Sequence, residues 1–326
     1  MKLASLKTGG RDGTLVVVSA DLSRCVTVPH IAATLQQALE RWSVCSTALA
    51  QVYADLQAGH CVQAFAMDVH QLASPLPRSF QFLDGSVYLH HMEKARKARG
   101  VAMPPNYKTE PLMYQGLSHA FDGPTDPMRL PSDDLEIDYE AEIAVVVDDV
   151  PMGVRVEDAS AHIKLVMLLN DYTLRALTKT ELPKGFGFLQ AKPTSAFSPV
   201  AVTLDELGDA WDGNKLSLPL ISAINGQRMG QPNAGKDMFF NYPQLIAHAA
   251  RTRALCAGTI IGAGTVTNQD ESGGFGCIAE ARIHQELEHG EASMPWMRFG
   301  DIVRIEMLDA QGVSIFGAIE QAIAKV

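Results

Sequence analysis

The chain has 326 residues, 47% of them apolar and 20% charged, and a net charge of −10. This is more than one hydrophobic core of roughly 250–300 residues carries, so a large domain with a smaller companion is expected. The acidic balance argues against a basic nucleic-acid-binding face, and no apolar run approaches the roughly 20 residues of a membrane span.

The N-terminus, MKLASLKTGG, lacks the apolar stretch and small-residue cleavage site of a signal peptide. Five cysteines (Cys25, Cys45, Cys61, Cys256 and Cys277) make an odd count with no metal-ligand spacing, so reduced thiols in a cytoplasmic protein are expected. Leu15–Ser19 is β-branched and turn-bounded and reads as a strand. Residues 31–56 have helical period, with Leu35, Ala38, Leu39 and Trp42 on one stripe. Pro75, Pro77 and Arg78 mark a linker. Residues 1–78 are therefore expected to form a small N-terminal unit and residues 79–326 the larger domain. Lys94–Arg99 (KARKAR) reads either as a solvated helix face or as a source of cations for an anionic substrate.

From residue 80 the chain turns strand-like, at 141–147, 165–169, 199–203, 218–224, 259–267 and 302–307. Helices are expected over 157–163 and 243–254. The class is a β-rich α+β fold. Loops rich in Pro and Gly, at 100–111 and 226–236, are expected to carry binding groups or to cover the site.

The alternating run Glu136-Ile-Asp-Tyr-Glu-Ala-Glu-Ile143 carries the most chemistry. In a strand, Glu136, Asp138, Glu140 and Glu142 would share one face. The run continues into Ala144-Val145-Val146-Val147, an apolar stretch expected to be buried. Carboxylates drawn into such a region must take up protons or share a cation, and hard cations prefer oxygen ligands. Asp171, at the end of the apolar run Leu165–Leu169, is either a third such carboxylate or a helix cap.

These residues resemble the fumarylacetoacetate hydrolase family. Its Glu-x-Glu pair is matched by Glu140 and Glu142. Its Asn-Asp-x-(Ser/Thr)-x-Arg stretch is matched by Asn170 to Arg175, and its lysine ahead of Ser-Pro by Lys192 before Ser198-Pro199. Its closing set is matched by Gly264-Thr265, Phe275-Gly276 and Glu280. Upstream, Asp84 and His91 have the seven-residue spacing of the family's animal enzymes, with His90 a neighbouring competitor. Met113-Tyr114-Gln115-Gly116 is similar to the family's substrate-facing tyrosine loop. One departure is Thr178, where the animal enzymes carry glutamine.

The resemblance implies a mixed β-sheet roll or sandwich with a small N-terminal domain, and a homodimer. It implies Mg²⁺, with Mn²⁺ or Ca²⁺ as alternatives, on Glu140, Glu142, Asp171 and Asp84, the last of which also reads as a turn residue. It makes His91 the base, Glu280 its orienting carboxylate with Glu93 a local rival, and Lys192 a catalytic cation. Arg175, Tyr114 and Thr265 would bind a small diketo or 2-oxo acid. The implied reaction is hydrolysis of a carbon–carbon bond in a fumarylacetoacetate- or acylpyruvate-like substrate. Decarboxylation, hydration or isomerisation of a 2-oxo acid would use the same metal site. A cation-stabilised protein without turnover would be expected to have lost catalytic positions, whereas here only Thr178 departs.

Overall fold

The computed structural model describes residues 1–98 and 100–326; Arg99, the last residue of the basic run, lies outside them. An eleven-stranded mixed sheet forms the spine. From one edge its strands run Phe65–Ala66, Arg24–Thr27, Thr14–Val18, Lys2–Leu6, Ala201–Val202, Ile163–Asn170, Ala141–Val147, Ile260–Gly262, Phe82–Gly85 and Met113–Gln115. Ala196–Phe197 pairs with Ile163–Asn170 off this path. A five-stranded sheet contains Leu220–Ile224, Ile302–Met307 and Ile319–Lys325, flanked by Gln227–Gly230 and Met128–Leu130.

The N-terminal residues form a small unit that continues the spine. Lys2 and Leu3 pair with Val202 and Ala201. The helical stripe expected over 31–56 divides into Leu35–Leu39 and Trp42–Gln57 around Glu40 and Arg41. Neither helix is long and apolar enough to cross a membrane, and the same holds for every helix among the described residues.

Successive residues of the fully buried Ala141–Val147 strand enter two apolar clusters. Ala144 and Val146 pack with Leu165, Met167, Leu169 and the N-terminal Leu3, Leu15, Leu35 and Leu49. Ile143, Val145 and Val147 join Val303 and Ile305 of the second sheet. Period-two alternation thus serves two cores at once, which is why this stretch carries no polar residue beyond Glu142.

Several expectations change in extent. The segment 157–163 is a short helix, Val156–Ala159, then a 3-10 turn, and Ile163 already opens the next strand. The strand expected over 259–267 is only Ile260–Gly262, because Gly264 has φ +85° and turns the chain out of the ladder. The strand expected over 199–203 is Ala201–Val202, and the helix expected over 243–254 is Tyr242–Ala249. Leu89–Ala98 contains the basic run that reads as a helix face, and two further helices rich in polar residues, Arg175–Glu181 and Ile278–His289, come in addition.

The acidic run is not one strand. Glu136 has φ +55°, and only Ile137–Asp138 is extended before Ala141–Val147 begins. The backbone between them is held from outside the ladder. Glu140 N–H donates to the Asn170 side chain (3.3 Å), and Glu140 C=O accepts from Asp171 N–H (3.1 Å). The four carboxylates therefore do not act as one set: Glu136 pairs with exposed Lys179, Asp138 and Glu140 share Arg175, and Glu142 joins Asp84 and Asp171.

Candidate active site

Sheet register brings three acidic residues together. Ala144, Gly262, Asp84 and Tyr114 lie on one rung across four strands. Glu142, two residues before Ala144, shares their face and pairs with Leu169, two residues before Asp171. Asp84, Glu142 and Asp171 are buried, and each offers an oxygen within 4.8 Å of the others. Gly262 allows this, since a Cβ there would collide with Asp84 Oδ1.

Burial, first, and then neighbouring Asp171 push the Asp84 carboxyl up to about 8. Burial and then Asp84 and Asp171 push Glu142 well above its ordinary value. Both Glu142 oxygens lack a hydrogen-bond partner among the described residues, although the side chain is fully buried. Unpartnered buried carboxylate oxygens are costly, and a set of oxygen donors suits a hard divalent cation. Asp84, Glu142 and Asp171 are thus a set that could hold one.

Glu140 stands beside this cluster with two cationic partners. Its Oε1 accepts from Arg175 (2.6 Å) and its Oε2 from Lys192 (2.5 Å). Burial acts to raise its carboxyl, but the Lys192 and Arg175 charges outweigh it and hold it at about 2. Lys192 Nζ also reaches Asp171 Oδ2 (2.7 Å) and the Asp171 carbonyl (3.0 Å). Burial alone would lower the lysine, yet Asp171 and Glu140 hold it firmly protonated. Lys192 therefore bridges Glu140 to the cluster. Ser195 completes the Asp171 environment by donating to Oδ1 (2.6 Å).

His91 lies on the Leu89–Ala98 helix and Glu280 on the first turn of Ile278–His289, two helices that pack together. His91 Nδ1 is 3.6 Å from Glu280 Oε2, and Glu280 Oε1 accepts from Thr267. Burial pushes the Glu280 carboxyl up, but adjacent His91 and the Thr267 hydroxyl hold it below its ordinary value. With Nδ1 toward Glu280, Nε2 is left to take a proton. His90 points elsewhere, 3.7 Å from Glu271. Glu93 accepts from Tyr107 (3.0 Å).

Tyr114 donates to Asp171 Oδ2 (2.6 Å), and its ring meets Phe188 edge-on at 4.9 Å. Thr265 is buried, and its hydroxyl takes no hydrogen bond among the described residues. Thr178 donates to the Arg175 carbonyl (2.7 Å) within its own helix.

Asp138 has a role that its place in the acidic run did not reveal. It accepts from Arg175 Nε (2.8 Å) and from the N–H groups of Ile278 and Ala279 (2.7 and 3.0 Å). It thus caps the Glu280 helix from a distant strand. Phe188 was not singled out in the sequence either, and it stands 5.9 Å from Lys192 Nζ. Its flanking glycines, Gly185 and Gly187, were the available signal.

Comparisons with known proteins follow this geometry. The model of the fumarylacetoacetate (FAA) hydrolase C-terminal region matches residues 81–324, and that of fumarylacetoacetase N-terminal domain 2 matches residues 1–78. A 2,4-didehydro-3-deoxy-L-rhamnonate hydrolase of Sphingomonas sp. is 31% identical over 160 residues, 48% of this chain and 53% of the relative. A mitochondrial oxaloacetate tautomerase of Xenopus laevis is 25% identical over 208 residues, 63% of this chain and 57% of the relative. The chain thus spans little more than half the length of these curated relatives.

Among solved structures, maleylpyruvate hydrolase from Sphingobium sp. SYK-6, in complex with manganese(II) ion and pyruvate, superposes with a TM-score of 0.67. It is 18% identical, over 100% of this chain and 99% of that one. Fumarylacetoacetate hydrolase from Exiguobacterium antarcticum gives a TM-score of 0.67 at 20% identity, over 100% of both chains. At these identities the likeness is one of fold.

Proposed function

The chain belongs to the fumarylacetoacetate hydrolase family, and from that premise we propose that it is a divalent-cation-dependent hydrolase of a carbon–carbon bond in a fumarylacetoacetate- or acylpyruvate-like diketo acid. The observation that carries this reading is the His91–Glu280 pair standing beside a carboxylate cluster. Such a pair can activate water for hydrolysis, and the same pair could serve as the base of a proton shift, so a substrate assay decides between them.

Asp84, Glu142 and Asp171 would hold the cation, with Glu140 completing the set once Lys192 turns toward substrate. Mg²⁺ is the proposed native ion, with Mn²⁺ or Ca²⁺ as alternatives. When bound, it supplies positive charge to the substrate's dicarbonyl oxygens and so stabilises the negative charge that C–C cleavage develops there.

His91 Nε2 takes a proton from water, while Glu280 steadies the resulting imidazolium through Nδ1. The hydroxide equivalent adds to the acyl carbonyl carbon. The C–C bond pair leaves with the other fragment and takes up the proton held on His91, giving a carboxylic acid and a 2-oxo acid from an acylpyruvate, or a 3-oxo acid from a fumarylacetoacetate-like substrate. Lys192 and Arg175 add fixed positive charge near the reacting oxygens or the substrate carboxylate. Tyr114 and Thr265 line the substrate side.

Residues 79–326 are proposed as the catalytic domain, preceded by the small domain 1–78, in a cytoplasmic homodimer. The deciding experiment offers acylpyruvates and oxaloacetate in parallel, with Mg²⁺ and with chelator. Metal-dependent release of pyruvate from an acylpyruvate supports hydrolysis. Turnover confined to oxaloacetate supports the second reading, a tautomerase or decarboxylase, which the oxaloacetate tautomerase among the relatives favours.

A further inference from the structure

Cys277 lies immediately before the Glu280 helix and pairs through its backbone with Glu140. Its buried sulfur, a His91 ring nitrogen and a Glu280 carboxylate oxygen all lie within 4.8 Å of one another. Among the described residues these donors meet only one another: His91 Nδ1 and Glu280 Oε2 stand 3.6 Å apart without a hydrogen bond, and Cys277 is a free thiol. Glu280 is 1% exposed, with that unpartnered oxygen aimed into the group.

From this we infer that His91, Cys277 and Glu280 form a second cation site, selective for a thiophilic divalent ion such as Zn²⁺ or Cd²⁺ and separate from the all-oxygen cluster of Asp84, Glu142 and Asp171. The two donor sets differ in kind. Three carboxylates suit hard ions, whereas sulfur, nitrogen and oxygen on two chain segments match the three-ligand pattern of open tetrahedral zinc sites. Tetrahedral ligands around zinc stand roughly 3.5 Å apart, so the three atoms need draw in by only about 1 Å. A bound cation displaces the thiol proton outright, so the neutral thiol is no obstacle. His91 is partly open to solvent, which provides entry.

The site goes beyond the hydrolytic reading and does not depend on it. Only its consequence does: a cation on Nδ1 leaves His91 a poor base at Nε2, and Mg²⁺ in excess would not reverse that. The test therefore reads binding alone. The full chain with Cys256→Ser, which removes the exposed thiol, is saturated with Mg²⁺ and titrated with Cd²⁺, following the ultraviolet thiolate-to-cadmium charge-transfer band. One equivalent is expected to produce the band, and Cys277→Ser in that background to abolish it. His91→Gln and Glu280→Gln should keep the band but weaken Cd²⁺ about tenfold or more each. A band that persists in Cys277→Ser, or Cd²⁺ affinity unchanged in both His91→Gln and Glu280→Gln, overturns the site. Circular dichroism of each variant identifies one that has lost its fold, and the remaining two then decide.

Discussion

Arg175 and Asp138 form a buried ion pair at 2.7 Å, and the same Asp138 carboxylate accepts from the first N–H groups of the Glu280 helix. Two helices distant in sequence are thereby tied through one side chain. Asp138→Asn removes that charge and leaves the Arg175 guanidinium on Glu140 alone, so stability should fall by about 1–3 kcal/mol. Because the Glu280 helix also loses the negative charge at its N-terminus, kcat should fall more than KM rises. Urea denaturation and steady-state kinetics read the two effects. A variant as stable as the parent would mean that Glu140 alone satisfies Arg175.

Glu142 is a fully buried carboxylate with no hydrogen bond among the described residues. Glu142→Gln should erase the gain in unfolding temperature that Mg²⁺ gives the parent protein, a gain of about 2.7 kcal/mol at a hundred times Kd. In chelator the variant should be about as stable as the parent, since burial and the neighbouring carboxylates already favour the neutral form of Glu142 and Gln matches its size. Calorimetry with and without Mg²⁺ distinguishes this from a structural glutamate, which would lose stability equally in both.

Asp84 is raised to about 8 by burial and then by Asp171. A carboxyl raised on folding contributes stability that is complete below its unfolded value near 4, and that is lost as pH rises through the folded value. Metal-free protein should therefore weaken from about pH 5 toward about pH 8, by at most about 1.4 kcal/mol per pH unit for this one proton. Asp84→Asn should flatten the trend, and Mg²⁺ should oppose it most at the alkaline end. Urea midpoints across pH in chelator give the slope, and an identical slope in Asp84→Asn refutes the assignment.

His91 faces Glu280 and His90 faces Glu271. His91→Gln should lower kcat by about 10²–10⁴, the usual contribution of a general base, while leaving Mg²⁺-dependent stabilisation intact. His90→Gln should change kcat by less than about tenfold, within the range of a supporting contact. The reverse pattern would move the base by one position.

The strands buried on both faces were legible because apolar continuity leaves few alternatives: Ala141–Val147 and the stretch 165–169 are where apolar runs placed them, while Ile302–Met307 was legible from its half-buried alternation. The cluster was legible only in part. Strict alternation put four carboxylates on one face, but Glu136 adopts a left-handed backbone and the ladder breaks at Glu140. Those breaks depend on partners thirty residues or more away, such as Asn170 and Gly276, which no local pattern carries. The helix bearing His91 was legible only as a solvated face over 94–99, and those bearing Arg175 and Glu280 were missed. Their side chains are spent largely on charged and polar partners, so few apolar residues mark them as helices. Asp138 looked like one more acid in a row, because capping a helix 140 residues later leaves no trace nearby.

The junction of Lys2–Leu6 with Ala201–Val202 makes the first 78 residues a flank of the rest of the sheet rather than an appendage. A recombinant fragment starting at residue 79 would bare the Ala201–Val202 border and uncover Ala144, Val146, Leu165 and Met167 at once. An unpaired border beside a naked oily surface is a recipe for precipitation. Such a fragment should collect in inclusion bodies, and separately expressed residues 1–78 supplied during refolding should recover it.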